Sequence, residues 1–412
     1  MHLNIIGFAI PLFVGCMLLE YCIAKKMRKQ HFFNLHRSIA NVSVGVAERL
    51  CDVFVAGVFY YVYDKLQHNY GLFNIQPSVA LWILLFLLTD FVWYWYHRLG
   101  HEVNLLWMAH IVHHQSEDFN YTASARITVL QALARTCFWA VLPLIGFPAG
   151  MITSLLLVHG LYPFFIHTQL VGNLGVLEYI LVTPSHHWVH HASNEEYLDK
   201  NYEDVLIIWD KLFGTFKKED LAVTIQFGLT KQLKTYSFLW QHFHYVIELF
   251  LAVKNEKGIV NKLIMLFGKP NRLDPSLRNQ AEAFFHIKQN PELIEEPLNK
   301  YVVWQMVVLL LSLFGFLLVE HYLSIPIKIC FAFITVLTLI NCGAIMEQKR
   351  WIFLVELLRF IAISFLSFYS LSFWQEKVLA IFLVLIMLIT FYNSLKKNYL
   401  SYVYKSGSYA YN

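Results

Sequence analysis

The chain's 19 histidines are unevenly spread, and three groups of them have spacings that chemistry can use. His97 and His101 form H-x-x-x-H, His110, His113 and His114 form H-x-x-H-H, and His187, His190 and His191 repeat that second pattern. Residues three and four apart share a helix face, so each set is expected to present its imidazoles on one stripe. Neutral imidazole is both a metal ligand and an acid–base group. With 19 histidines in 412 residues, two such triplets and an H-x-x-x-H arise together by chance too rarely to be ordinary core histidines. The scattered His2, His31, His36, His68, His242, His244, His286 and His321 read instead as hydrogen-bonded structural residues.

Eight imidazoles exceed what one ion takes, because zinc usually binds four ligands and a six-coordinate ion rarely draws all six from histidine. Two metal ions fit the count. Imidazole suits iron, zinc, copper and nickel alike, so ligand type leaves the ion open. A redox-inert ion would suit hydrolysis, whereas a pair of redox-active irons would suit dioxygen activation and attack on an unreactive C–H bond.

The elements that must position these residues are membrane helices. Hydrophobic residues make up 57% of the chain and charged ones 15%, which leaves too few polar side chains to cover a soluble fold of this length. A crossing helix needs about 20 mostly apolar residues. Leu3 to Ala24, Asn41 to Tyr63, Val79 to Tyr96, Tyr301 to Leu323, Ile327 to Met346, Trp351 to Phe373 and Val378 to Tyr392 qualify, and Val129 to Phe147 with Ala149 to Ile166 reads as a helical hairpin turning at Pro148. The expected fold is therefore an all-α polytopic integral membrane protein of about nine transmembrane helices under a histidine-rich dimetal cap. Four divisions follow: membrane helices over 1–80, the dimetal catalytic region over 81–220, an interfacial connector over 221–300, and a four-helix membrane region over 301–412.

The net charge of +4 makes no case for nucleic acid, but the placement of basic residues is informative. Lys25, Lys26, Arg28 and Lys29, then Arg37, Lys349, Arg350, Lys396 and Lys397 flank spans on what the positive-inside tendency makes the cytoplasmic side. The cap that follows His97 then faces the cytoplasm, at the endoplasmic reticulum in a eukaryote or the inner membrane in a bacterium. The basic cluster follows the first apolar segment, which suits a retained anchor better than a cleaved signal peptide. Cys16, Cys22, Cys51, Cys137, Cys330 and Cys342 lie in apolar segments without a C-x-x-C pair and read as packing residues. Phe238 to Val253 is aromatic and apolar enough to lie in the interface plane.

At the histidine motifs the chain resembles the fatty acid hydroxylase and sterol desaturase superfamily, and within it the alkylglycerol monooxygenase subfamily. The likeness runs from Asp90 to Phe216, through His113-His114-Gln115-Ser116-Glu117-Asp118, Ile166-His167-Thr168, Thr183 to His191, and Asp199-Lys200-Asn201-Tyr202 to Phe216. A weaker likeness covers Met346 to Arg350 and Glu356 to Arg359. The resemblance implies metal ligation by His97, His101, His110, His113, His114, His187, His190 and His191, with His167 as a ninth ligand or a supporting residue. His186 falls off the stripe of its triplet. Glu102 matches a glutamate associated with pterin binding, and Tyr202 a tyrosine near the site; a solvated carboxylate and an interfacial aromatic are the plain alternatives. Pro163 departs from the family pattern and is expected to kink its helix.

The reading this supports is a diiron lipid monooxygenase that uses dioxygen and electrons from tetrahydrobiopterin. It would insert oxygen at the carbon beside the ether oxygen of an alkylglycerol, giving a hemiacetal that breaks down to a fatty aldehyde and a glycerol derivative. The third to fifth apolar segments would guide the alkyl chain, and a pterin-recycling enzyme or an electron-donor protein would be a partner. Zinc can replace iron in a purified sample. The alternatives are a hydroxylase or desaturase of sterols, fatty acyl chains or carotenoids, and, outside the enzymes, a structural zinc protein or a metal transporter. Transport sites usually sit at the bilayer midplane, whereas these histidines cluster at span ends and loops.

Overall fold

The computed structural model describes residues 3–287, 299–369 and 373–404, and among these it is helical, with no strand and only isolated bridges at Leu181–Leu206 and Ala192–Phe227. Helix α1 (Ala9–Lys26) is followed by α2 (Leu35–Tyr70), α3 (Val79–Glu102) and α4 (Asn104–His110). After a 3-10 turn at His113–Gln115 come α5 (Tyr121–Ser124), α6 (Val129–Trp139), α7 (Val141–Ile145), α8 (Ala149–Ile166), α9 (Pro184–His191) and α10 (Ile208–Phe213). The series continues with α11 (Phe238–Asn255), α12 (Ile259–Phe267), α13 (Ser276–Phe284), α14 (Lys300–Val319), α15 (Ile325–Met346), α16 (Ile352–Tyr369) and α17 (Trp374–Tyr404).

Local sequence explains where the site-bearing helices start. Ser78 accepts a hydrogen bond from the Leu81 N–H and opens α3, and Thr128 does the same for Gln131 at α6. Caps of this kind contribute about 1 kcal/mol each. Thr183 and His186 close a capping box at α9, with Pro184 in the first turn where its missing N–H costs nothing.

Among the described residues, six helices are long and apolar enough to cross a bilayer: Ile5–Lys26, Val79–Glu102, Ala149–Ile166, Lys300–Tyr322, Ile325–Met346 and Trp374–Tyr404. The other three of the nine expected segments, Asn41 to Tyr63, Val129 to Phe147 and Trp351 to Phe373, lie in helices of a different character. Asn41 to Tyr63 lies within α2 but carries Glu48, Arg49 and Asp52, which form ion pairs of 2.8 to 3.2 Å among themselves and with Arg135 of α6. Val129 to Phe147 is not one helix. Pro143 lacks an N–H, and its ring would clash with the carbonyl four residues back, so α6 stops at Trp139 and α7 restarts. Gly146 then turns the chain at φ +122°, where an added Cβ would fall 1.9 Å from the Phe73 carbonyl oxygen. Within Trp351 to Phe373, α16 carries Glu356 and Arg359, and residues 370–372 lie outside the described residues.

The chain divides into two compact units. The larger takes in Cys16–Lys234 and the stretch from Trp240 through α13. Around α3 its core gathers Tyr63, Leu85, Tyr96, Trp139, Leu142, Phe147 and Ile152. Helix α11 buries Trp240, His244, Tyr245, Glu248, Leu249 and Ala252, while Phe243 and Phe250 remain exposed. Cys22 and Cys137 are exposed and not packed, which fits lipid-facing positions in apolar helices, and all six cysteines are unpaired.

The smaller unit holds α14 to α17, the described residues up to Gly15 and Thr235–Leu239. Its apolar helices are fastened by polar side chains. The Arg359 guanidinium donates to Glu356 at 2.6 Å, Tyr301 at 3.2 Å, Thr338 at 3.3 Å and to Gln305, while Asn341 donates to Glu356 and to the Tyr399 hydroxyl, both at 2.9 Å. Such groups serve as interhelical glue where lipid offers no competing partner. The Glu347 carboxylate accepts the Tyr236 and Ser237 N–H groups at 2.8 and 2.9 Å, which gives the two short stretches singled out in the sequence a structural role.

Candidate dimetal centre

The end of α3 brings His97 and His101 to the site, α4 ends on His110, the following turn supplies His113 and His114, α8 ends just before His167, and α9 carries His187, His190 and His191. The nine imidazoles fall into two buried groups. One comprises His97, His101, His110, His114 and His190, the other His113, His167, His187 and His191, and within each group the potential ligand atoms lie within 4.8 Å of one another.

Neither triplet therefore serves one group, contrary to the single-stripe expectation. His110 and His114 go to the first group and His113 to the second; His187 and His191 go to the second and His190 to the first. On α9 helix geometry gives the reason: positions i and i+4 are about 40° apart, while i+3 lies about 60° to the other side; in the first triplet His110 ends α4 and His113 and His114 lie on the 3-10 turn that follows. In both triplets the i+3 histidine lies in the neighbouring group.

Protein carbonyls orient several of these rings. His97 Nδ1 donates to the Tyr202 carbonyl, His190 Nδ1 to that of Lys200 at 2.9 Å, and His167 Nδ1 to that of Pro163 at 2.6 Å. A carbonyl can only accept, so each Nδ1 bears the proton and each Nε2 presents a bare lone pair. The His97 Nε2 so defined lies 2.9 Å from His110 Nε2, which lies 3.1 Å from His114 Nε2. In the second group, His167 Nε2 lies 3.1 Å from His187 Nε2 and 3.4 Å from His113 Nε2. Six further buried nitrogens, Nε2 of His101, His190 and His191 and Nδ1 of His110, His113 and His187, have no hydrogen-bond partner among the described residues.

Electrostatics favour neutral rings. Burial pushes the pKa of His110, His113, His114, His187, His190 and His191 well below the usual imidazole range, and neighbouring imidazoles push most of them further. Burial lowers His167 to about 4. Converging neutral lone pairs with few protons between them are what a cation resolves, and a histidine-only donor set suits borderline transition-metal ions. The residues present thus fit two such ions.

The supporting loop is built around Asp210. Its carboxylate accepts the N–H groups of Tyr202 and Glu203, both at 2.9 Å, and the Thr215 hydroxyl at 2.6 Å. Asp199 and Asn201 sit at φ +59° and +53°, a left-handed conformation that these two residue types tolerate better than most. They flank Lys200, and the turn aims the carbonyls of Lys200 and Tyr202 at His190 and His97. Pro163, expected to kink α8, lies inside a helix that continues to Ile166, and its carbonyl sets His167.

Other expected residues are placed as follows. The Tyr202 ring is buried beside the first group, its centroid 5.3 Å from that of His101 and 6.1 Å from that of His97. Burial raises its phenol pKa. Glu102 belongs to neither group; its Oε1 accepts from Arg98 Nε at 3.0 Å one helical turn back. His186, off the stripe of its triplet, caps α9.

Sequence reasoning passed over Asp90, His159 and Asp204. His159 Nδ1 lies 3.4 Å from Asp204 and 3.7 Å from Asp90, all three buried, and the other Asp90 oxygen accepts from the Leu206 N–H at 3.2 Å and Trp209 Nε1 at 3.1 Å. Asp90 thereby pins the Tyr202–Asp210 loop to α3, two turns before His97. The only available signal was a carboxylate and a histidine inside apolar runs, which are costly there without partners.

Comparison with known proteins adds an independent line. The fatty acid hydroxylase family profile matches residues 82–215. Human alkylglycerol monooxygenase is 33% identical over 377 residues, covering 88% of this chain and 81% of the human protein. The alkylglycerol monooxygenase of Danio rerio is 32% identical over 366 residues, covering 87% of this chain and 81% of the fish protein. An ornithine lipid hydroxylase from Rhizobium tropici is 25% identical over 197 residues, covering 47% of this chain and 60% of that protein. No solved structure matches the chain.

Proposed function

The chain belongs to the fatty acid hydroxylase family, as an integral membrane oxidoreductase that hydroxylates lipid, and from that premise we propose that it is an ether-lipid monooxygenase acting on alkylglycerols. The carrying observation is the pair of buried histidine groups, five and four, at the end of a membrane span, in a chain aligned over most of its length with alkylglycerol monooxygenases. Two redox-active ions, iron in this reading, would supply reductive activation of dioxygen.

The chain's own residues account for the rest. His97, His101, His110, His114 and His190 would hold one ion, and His113, His167, His187 and His191 the other. The carbonyls of Tyr202, Lys200 and Pro163 keep three of these rings in the tautomer that binds metal. Tyr202 closes one side of the first group and keeps bulk water from it. In this reading an alkyl chain would reach the centre from the bilayer between the end of α3 and α8.

Glu102 is assigned to the reductant, tetrahydrobiopterin. Arg98 engages one lone pair of its Oε1, which leaves acceptor sites on both carboxylate oxygens for paired N–H donors on the amino-pyrimidine edge of a pterin. Glu102→Gln removes the charge from those bonds and is expected to weaken apparent pterin affinity about tenfold, with metal content unchanged. The assay is aldehyde release from alkylglycerol in membranes supplied with dioxygen and reduced pterin, run beside sterol and acyl substrates. Loss of metal in this variant, or turnover indifferent to pterin, would overturn the pterin assignment in favour of a protein electron donor.

The basic loops at Lys25–Lys29 and Lys396–Lys397 support a cytoplasmic cap. Single cysteines placed at Lys26, Asn194 and Lys397 are expected to react with an impermeant maleimide only from the cytoplasmic side of sealed vesicles. Labelling from the opposite side alone would reverse the orientation.

A further inference from the structure

Helix α12 turns an apolar face outward. Ile259, Val260, Leu263, Ile264 and Phe267 are between 46% and 69% exposed, and their spacing puts them within an arc of about 140°. The opposite side is not solvent-facing either: Met265 and Leu266 pack on a core that includes Ile111, Val112 and Leu249, with Trp107 and Met108 packed against it. Those residues sit among the ligand-bearing ones. Trp107 lies 5.0 Å, ring to ring, from His101 and 5.7 Å from His114, and Ile111 and Val112 separate His110 from His113.

The attachment to α4 is also polar. Asn104 donates its N–H to the Gly268 carbonyl at 2.9 Å and its Nδ2 to the Met265 carbonyl at 2.8 Å, while Tyr245 donates to its Oδ1 at 2.6 Å. Gly258, at φ +80°, and Gly268 bound the helix. Between Lys254 and Arg272 the chain carries Lys254, Lys257, Lys262, Lys269 and Arg272 against Glu256 alone, a net +4.

Nine residues are too few to cross the hydrocarbon, yet an apolar stripe of this size needs a cover. A second copy is a poor one, because a two-fold contact would set two such cationic segments against each other. A leaflet with anionic headgroups matches both features at once: acyl chains for the stripe and negative charge for the flanking lysines. We propose that α12 is an in-plane anchor seated in the anionic headgroup layer of the membrane that α3 and α8 cross, and that it holds the α4 side of the histidine centre against the lipid surface.

The test uses the full chain in phosphatidylcholine vesicles, with and without phosphatidylglycerol, containing a phospholipid with a diazirine near the headgroup end of its acyl chain. After illumination, adducts are mapped by peptide mass spectrometry. The Ile259–Phe267 peptide is expected to carry lipid adducts, in higher yield with phosphatidylglycerol. In the double variant Leu263→Glu, Ile264→Glu that yield should fall about tenfold or more, since carboxylates are costly among acyl chains. Unchanged adducts on Trp374–Tyr404 report that the variant is still inserted. Labelling of α12 only by a water-soluble carbene reagent, its cross-linking to a second copy, or equal yield in the inserted double variant would each overturn the proposal. The measurement needs no turnover, so it is independent of the substrate assignment.

Discussion

Replacing His113 or His187 by alanine is expected to halve the metal content, from two ions per chain to one, and to lower activity more than about 100-fold. Both residues belong to the group of four, so either loss leaves three imidazoles and opens a position that water fills. The other five histidines come from α3, α4, the turn after it and the i+3 position of α9, and they are untouched. His101→Ala is the matched contrast. It removes one imidazole from a group of five and leaves four, enough for a tetrahedral site, so both ions should be retained after purification. Metal analysis of the three purified variants checks this. Two ions and full activity in the His113 and His187 variants would remove the second site, and loss of both ions from either would show one shared cluster in place of two.

Asp210→Ala should be nearly as damaging although the carboxylate touches no histidine. Its removal leaves the Tyr202 and Glu203 N–H groups without their acceptor in a fully buried setting, while the Thr215 hydroxyl keeps the Tyr94 hydroxyl at 3.0 Å. Each unpaired group costs roughly 1 to 3 kcal/mol. The sum, on the order of several kcal/mol, is a large share of the stability of a typical fold. Relaxation of the loop would also move the Tyr202 carbonyl that orients His97. The expected result is a chain that inserts, loses metal on purification and unfolds at a lower temperature in detergent. Thr215→Val removes one donor and keeps the two backbone bonds, so its effect should be small. Wild-type metal content and melting temperature in Asp210→Ala would show that this loop does not set the site.

Much of the centre was legible because metal ligation needs particular residue types at particular helical spacings. The two H-x-x-H-H triplets and the H-x-x-x-H are rare enough to stand out, and the family resemblance added His167. The supporting residues were less legible. Asp210 was visible only as part of a matching stretch, and the Pro163, Lys200 and Tyr202 contributions come from backbone carbonyls, which every residue type possesses. The character of the apolar segments was less legible for a related reason. An apolar window registers composition, but Pro143 breaks one segment, and the Glu48, Arg49, Asp52 and Arg135 ion pairs make another polar where it packs on its neighbour.

By itself the sequence determined that this is a helical membrane protein, which residues could bind metal, and that one ion could not use them all, because composition and ligand chemistry are properties of the residues themselves. Only the tertiary structure decided how nine histidines divide into five and four. On α9 helical spacing sends His190 away from His187 and His191, and in the other triplet the break between α4 and the 3-10 turn separates His113 from His110 and His114. Which group receives each depends on how the end of α3, the end of α8, α9 and the loop held by Asp210 meet. That meeting is set by long-range packing and backbone hydrogen bonds, neither of which has a local signature in the chain.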